Sequence, residues 1–230
     1  MTAPPLVIAH RGASAAHPAN TVAAFAAAGP LGADGVELDV RRTADGAAVV
    51  VHDEALPDGR ALVETTQADL PDWVPTLAEA LDACGDLLVN VEVKNWPGDG
   101  DFDPEEAMAD AVVVELLARG GGDRYLVSCF HRPTVDRVRE RAPGLATAYL
   151  HVHVDGPTAL AEAVAHGHGA LHPWSGLVTA ELVAAAHDAG VVVNTWTVDD
   201  PEEMVRLAAL GVDGIVTNVP DLARQVLGPR

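Results

Sequence analysis

Short apolar, β-branched runs alternate along the 230-residue chain with alanine- and leucine-rich stretches of helical period. The runs predict strands at 6–10, 35–41, 47–52, 87–94, 124–130, 146–151, 169–172, 191–197 and 214–217. Helices are predicted between them, over about 20–28, 76–84, 104–119, 133–141, 157–166, 179–189, 201–210 and 220–227. Their starts carry capping residues or proline: Asn20-Thr21, Thr76, Asp103-Pro104, Pro133, Thr179, Asp200-Pro201 and Pro220-Asp221. Gly190 and Gly211 mark two of the ends. Strand–helix alternation at this spacing predicts parallel βα units. That many strands in a chain of this length suits an α/β fold of the closed (β/α)8 TIM-barrel type better than an open doubly wound sheet.

Three of these strands break into polar residues at their ends: Ile8-Ala9-His10-Arg11-Gly12, Val36-Glu37-Leu38-Asp39-Val40 and Val49-Val50-Val51-His52-Asp53. In a TIM barrel the C-terminal strand ends build the active site. Side chains alternate along a strand, so Val36, Leu38 and Val40 share one face while Glu37 and Asp39 share the other. The two carboxylates then stand roughly 6–7 Å apart at the backbone. They repel unless a cation lies between them or a partner such as Arg41 or Arg42 neutralises them. The run Leu87–Lys94 adds a third carboxylate in the same phase, placing Asn90, Glu92 and Lys94 opposite Val89, Val91 and Val93. Burying even a neutral polar group without a partner costs about 2–7 kcal/mol, so strands this apolar have no folding reason to carry such groups. Two imidazoles, three carboxylates, a guanidinium and an ammonium are suited to holding a divalent cation against a phosphate and moving protons around it.

Composition narrows the partners. Acidic residues number 34 against 14 basic ones, a formal charge of −20. So large an excess argues against nucleic acid and against stable association with anionic membranes. An anionic substrate needs a locally positive site, which Arg11 and Lys94 supply. Cys84 and Cys129 lie in or beside apolar segments and read as small core residues. Met1-Thr2-Ala3-Pro4-Pro5 leads straight into a strand with no basic and apolar leader before it, and no apolar run approaches membrane-spanning length, so a cytoplasmic protein is expected. No interface stripe is legible.

Residues 53–75 follow His52 and contain Pro57-Asp58-Gly59 and Pro71-Asp72-Trp73-Val74-Pro75; they are expected over the barrel mouth as a short insertion. Trp96–Asp101 follows Lys94 and should lie there too. Among the other histidines, His131, His151, His153, His166 and His168 fall near predicted helix ends or loops, where solvated or capping roles are expected. His17 reads as a mouth residue. His172 ends a strand and is placed to line the pocket.

Taken together, the motifs resemble those of the glycerophosphodiester phosphodiesterase family nearly end to end, as one domain over 1–230. His10-Arg11-Gly12 followed by Pro18-Ala19-Asn20-Thr21 is similar to the family's opening signature, with Ala19 where glutamate is customary. Glu37-Leu38-Asp39, Asp45-Gly46 and Val51-His52-Asp53 match the next block. Glu92 and Lys94 match the Glu-x-Lys strand, while Trp196-Thr197-Val198 and Gly211–Thr217 match the end. Phe130 ends a strand where the family has Ser-Phe, and Cys129 departs from that pattern.

The resemblance implies a (β/α)8 barrel with a small insertion after the strand bearing the second histidine. It implies Glu37, Asp39 and Glu92 as ligands of one divalent cation, Mg²⁺ or Ca²⁺, and His10 and His52 as general acid and base. Arg11 and Lys94 would contact the phosphoryl oxygens, with Trp196, Phe130 and His172 around the substrate. The implied reaction is hydrolysis of a small-molecule glycerophosphodiester to sn-glycerol 3-phosphate and an alcohol, with a cyclic phosphate as a route. Two rivals stand beside it. A phospholipase D-like activity on lysophospholipids would want an apolar or basic rim, which the charge and the polar 53–75 stretch disfavour. A non-catalytic barrel binding phosphorylated metabolites would not need two proton-transfer groups.

Overall fold

The structure, a computed structural model, describes residues 3–120 and 122–230. Met1 and Thr2, the start of the expected lead into the first strand, lie outside them. In chain order the elements are β1 (Leu6–His10), α1 (Val22–Ala28), β2 (Gly35–Arg42), β3 (Ala48–Val50), α2 (Leu77–Ala83), β4 (Leu88–Val93), α3 (Ala107–Arg119), β5 (Tyr125–Cys129) and α4 (Arg132–Arg141). They continue with β6 (Ala146–His151), α5 (Gly156–His166), β7 (Ala170–Pro173), α6 (Ala180–Asp188), β8 (Val192–Thr195), α7 (Pro201–Leu210), β9 (Gly214–Thr217) and α8 (Pro220–Leu227). All strands except β3 pair in parallel, in the order β1, β2, β4, β5, β6, β7, β8, β9, and β9 pairs back onto β1. The sheet is therefore a closed barrel of eight parallel strands, the expected architecture.

The strand expected over 47–52 is a correction. It forms only over Ala48–Val50, runs antiparallel to β2, and lies outside the ring. The cause is loop length. Only Thr43–Ala47 join β2 to β3, with Gly46 at φ +82°, whereas a parallel crossover needs about a dozen residues or more. β2 thus rises past the barrel mouth and the chain folds back beside it, Val51 N–H donating to the Asp39 carbonyl at 3.0 Å. His52 reaches the mouth from this returning arm, not from the end of a barrel strand.

Helix starts follow the capping residues with one exception. The Thr21, Thr179 and Asp200 side chains accept N–H groups of the first turns of α1, α6 and α7, and Thr76 forms a full capping box with Glu79. The helix expected from 104 begins instead at Ala107. The Asp103 carboxylate takes the N–H groups of Glu105 and Ala107, while Glu106 adopts φ +59° and interrupts the helical path. Asn95 fixes the turn, accepting from Asp103 N–H at 2.8 Å and donating to its carbonyl at 3.0 Å.

Strand alternation sorts the barrel. Val36, Leu38, Val40, Val89, Val91, Val93 and Val127 face outward into a fully apolar layer with α1 to α4, and Val7, Leu171, Val193 and Ile215 do the same with α5 to α8. Residues 53–75 are not loose. Leu56, Leu62 and Val74 close over Val49 and Val51 as a small third core, so the insertion is a packed cap. Among the described residues no helix is long and apolar enough to cross a membrane.

The first βα loop packs closely on α1. Gly12 has φ +79°, and a Cβ there would stand 2.6 Å from the Ala24 carbonyl carbon. Gly12→Ala therefore combines a left-handed backbone cost of about 1–2 kcal/mol with overpacking of about 1–3 kcal/mol. Urea denaturation should show a loss in that combined range; a loss below about 0.5 kcal/mol, the scale of an ordinary surface change, would mean that the loop yields.

Candidate active site

The barrel register assembles the candidate residues. Glu37 lies level with His10 on β1 and Asn90 on β4, and Asp39 lies level with Glu92. All three carboxylates point into the barrel and are buried, Glu37 at 4%, Asp39 at 1% and Glu92 at 9% exposure. One oxygen from each lies within 4.8 Å of the others.

Two cations partly neutralise the cluster. Arg11 Nε stands 3.1 Å from Asp39 Oδ2, and its backbone N–H donates to Glu37 Oε2 at 3.0 Å. Lys94 Nζ donates to Glu92 Oε1 at 2.8 Å and lies 3.7 Å from Asp39 Oδ1. Asn20 Nδ2 donates to the same Asp39 carboxylate at 2.8 Å. Arg11 and Asn20 both hold left-handed backbone, φ +56° and +57°, a strain that residues of this type bear at functional sites. Burial raises the Asp39 pKa, but Lys94 and Arg11 outweigh it and leave the group below the usual carboxylate range. At Glu37 burial, then Asp39 and Glu92, outweigh the Arg11 N–H and its charge and push the group well above that range. Burial also raises Glu92, against the pull of Lys94. Glu37 Oε1 is buried with no hydrogen-bond partner. An orphaned oxygen in an all-carboxylate cluster fits a hard divalent cation.

Each histidine is anchored through Nδ1. His10 Nδ1 lies 2.7 Å from Asn218 Oδ1. The amide is oriented by Asp199, whose Oδ2 accepts from Asn218 Nδ2 at 2.6 Å, so its oxygen faces His10 and Nδ1 carries the proton. His52 Nδ1 lies 2.7 Å from Asp53 Oδ1, with the same consequence. In both neutral rings Nε2 is left as the basic atom, and His10 Nε2 lies 3.9 Å from Glu37 Oε2. Burial lowers both imidazole pKa values; Asn218 opposes this at His10 and Asp39 at His52.

His10, Arg11, Glu37, His52, Glu92, Lys94, Phe130, His172 and Trp196, nine of the ten candidate residues, line one hollow at the C-terminal strand ends. The tenth, Asp39, is buried beside them, paired to Arg11 and Lys94. Phe130 and Trp196 meet edge to face at 5.5 Å, and Trp196 Nε1 donates to the His172 carbonyl at 2.9 Å. His172 is fully buried beside Asn194, and burial, with His151 nearby, depresses its pKa to about 3. It is neutral.

Other expectations change. Arg41 does not neutralise Glu37 and Asp39. It grips both Asp101 oxygens at 2.6 and 2.7 Å, reaches Asp99 at 3.0 Å, and donates through Nε to the His52 carbonyl at 2.6 Å. It ties the returning arm to the loop after β4. Arg42 pairs with Asp103. His151 and His168 are buried, not solvated: their strand and loop positions turn them inward, His168 between Thr147 and Asp136. His17 is exposed. Asn218 and Asp199 are absent from the motif-based set. Their signal was the same as for the others, since Asn218 is the polar residue directly after the apolar run Gly214–Thr217.

A profile of the Glycerophosphoryl diester phosphodiesterase family matches residues 10–222, a span that holds every residue above. The chain belongs to this family. It is 34% identical over 244 residues to a glycerophosphodiester phosphodiesterase of Caldanaerobacter subterraneus subsp. tengcongensis, covering 94% of this chain and 95% of that one. A glycerophosphodiester phosphodiesterase of Bacillus altitudinis is 31% identical over 96% of this chain and 97% of its own. Among solved structures, an Oleispira antarctica phosphodiesterase in complex with the product sn-glycerol-3-phosphate superposes with a TM-score of 0.87, at 27% identity over 97% of this chain and 96% of that one. A glycerophosphodiester phosphodiesterase from Parabacteroides distasonis gives 0.87 at 25% identity, over 99% and 98%.

Proposed function

We propose that this phosphodiesterase hydrolyses glycerophosphodiesters to sn-glycerol 3-phosphate and an alcohol, with His10 and His52 exchanging protons beside a cation held by Glu37, Asp39 and Glu92. The observation that carries the proposal is the pairing of two imidazoles, each with Nδ1 engaged and Nε2 basic, with a buried carboxylate cluster that has an orphaned oxygen. The donor set suits Mg²⁺ or Ca²⁺. Such an ion, when bound, supplies Lewis-acid stabilisation of the charge that grows on the phosphoryl oxygens.

The chain's own groups do the rest. One neutral imidazole takes the proton of the attacking hydroxyl at Nε2, and the other, entering the cycle protonated at Nε2, gives that proton to the leaving alkoxide. Where the attacking hydroxyl is the glycerol's own, a cyclic phosphate forms and water opens it with the two roles exchanged. Arg11 and Lys94, now held on the carboxylates, exchange those contacts for phosphoryl oxygens, Arg11 as a planar fork and Lys94 as a point charge. Trp196 and Phe130 form an aromatic wall that excludes water from one side. His172 stays neutral and orients through hydrogen bonds; it is not a proton-transfer group.

The test is release of sn-glycerol 3-phosphate from glycerophosphocholine and glycerophosphoethanolamine with Mg²⁺, Ca²⁺ or EDTA. Release with metal and none with EDTA is expected. Tight binding of sn-glycerol 3-phosphate with no turnover under any metal would instead favour a binding-only barrel, and faster turnover of a lysophospholipid would favour the lipid activity.

A further inference from the structure

We propose that a second hollow beside His52, walled by Trp96, His153 and Phe130 and edged by Asp99, receives the leaving alcohol and selects alcohols that bear an ammonium group. This rests on the phosphodiester reading above and adds the half of the substrate on which that reading is silent.

Position comes first. The hollow, about 250 Å³, shares His52, Glu92, Lys94 and Phe130 with the smaller, deeper one that holds His10 and Glu37. A diester with its phosphoryl group at the shared residues therefore puts one substituent in each. The deep hollow is lined by hydrogen-bonding groups, Asn90 and His172 among them, and suits a compact polyol. The outer one opens at the rim.

Chemistry comes next. Trp96 is 43% exposed on the loop after β4, tilted against His153 with ring centroids 6.0 Å apart and with its ring edge near Gly98. An indole left open at a catalytic mouth is a surface for a partner, and its face attracts cations more strongly than any other side-chain ring. The protein's own cations do not fill that role. Lys94 is held by Glu92 and Asp39, and Arg41 is held by Asp99 and Asp101. Three carboxylates, Glu54, Asp99 and Asp101, cluster beside this hollow with one oxygen of each within 4.8 Å of the others, against the one guanidinium of Arg41. The surplus at this rim is negative, while in the lining of the hollow Asp99 and Glu92 are matched by Arg41 and Lys94. A negative field over an open indole favours an ammonium and disfavours an anionic or merely polar substituent.

The test compares kcat/KM for two diesters under the same divalent cation: glycerophosphocholine, whose leaving alcohol carries a quaternary ammonium, and glycerophosphoglycerol, whose leaving alcohol is neutral. Wild type should prefer the first by roughly tenfold, and Trp96→Ala should bring the ratio close to one, whereas Trp96→Phe keeps most of it. Tetramethylammonium should inhibit wild type competitively. A ratio near one in wild type, or a ratio unchanged in Trp96→Ala because both diesters fall together, overturns the proposal while leaving the phosphodiesterase reading intact. No turnover of either diester by wild type removes the reading beneath it. Should Trp96→Ala fail to fold, the Trp96→Phe ratio and the tetramethylammonium inhibition decide.

Discussion

His10→Ala lowers kcat by about 10²–10⁴-fold, and His52→Ala does the same, while both variants still unfold cooperatively. The structure gives each ring an acceptor on Nδ1, which leaves Nε2 as the basic atom, and that of His10 lies 3.9 Å from Glu37. If they work as one acid–base pair, the double variant falls little further than either single one, because a proton relay missing one member is already broken. Asn218→Ala tests the anchoring separately. It leaves both imidazoles in place but frees the His10 ring to rotate and change tautomer, so a smaller loss is expected, about 10–100-fold by analogy with outer-shell partners of histidine. Steady-state kinetics on glycerophosphocholine measure all four. A loss below tenfold in His10→Ala would remove it from the proton-transfer steps.

Glu37→Gln should have opposite effects on activity and on stability. Loss of one carboxylate from the proposed cation site removes transition-state charge stabilisation worth several kcal/mol, or on the order of 10³-fold in rate. The metal-free fold responds the other way. Burial, Asp39 and Glu92 raise the Glu37 pKa in the folded state. A raised carboxylate contributes stability that is whole below its ordinary pKa, about 4.3, and is lost as pH climbs through the raised value. With EDTA present, Glu37→Gln should therefore melt higher than wild type, by a margin that widens from mildly acidic to neutral pH. Added Mg²⁺ or Ca²⁺ should raise wild type and narrow the gap, since a ligand that binds only the folded state stabilises it. Thermal melts with and without metal would show this. Equal melting of the two proteins at every pH would mean that the Glu37 charge is already compensated, and the cluster would lose its claim to a cation.

The carboxylate cluster was legible because it needs only alternation. Once 35–41 and 87–94 are strands, Glu37, Asp39 and Glu92 fall on one face by period alone, and barrel closure brings the two strands side by side. Trp196 and Phe130 follow by the same rule. What alternation cannot supply is direction. The run Val49–His52 looks like any other strand, and only the short Thr43–Ala47 link shows that it must run back along β2. Electrostatic partners were less legible still. Arg41 stands next in sequence to the acidic strand yet spends its charge on Asp99 and Asp101, far along the chain. His151 and His168 were misplaced for a related reason: a position near a helix end says little about burial when the neighbouring strand turns the side chain inward. Asn218 followed the pattern of the other strand-end motifs, but amides carry no charge and attract less notice than histidine or glutamate.

The bond between His10 and Asn218 joins residues 208 positions apart. β1 sits between β2 and β9, so the first histidine is anchored only when the last strand closes the ring. On a ribosome, β1 therefore waits with one edge exposed until β9 has been made. No amino-terminal fragment lacking β9 holds His10 in its bonded tautomer, whatever else it has folded. The proposed chemistry thus switches on in a single event, the docking of β9 on β1.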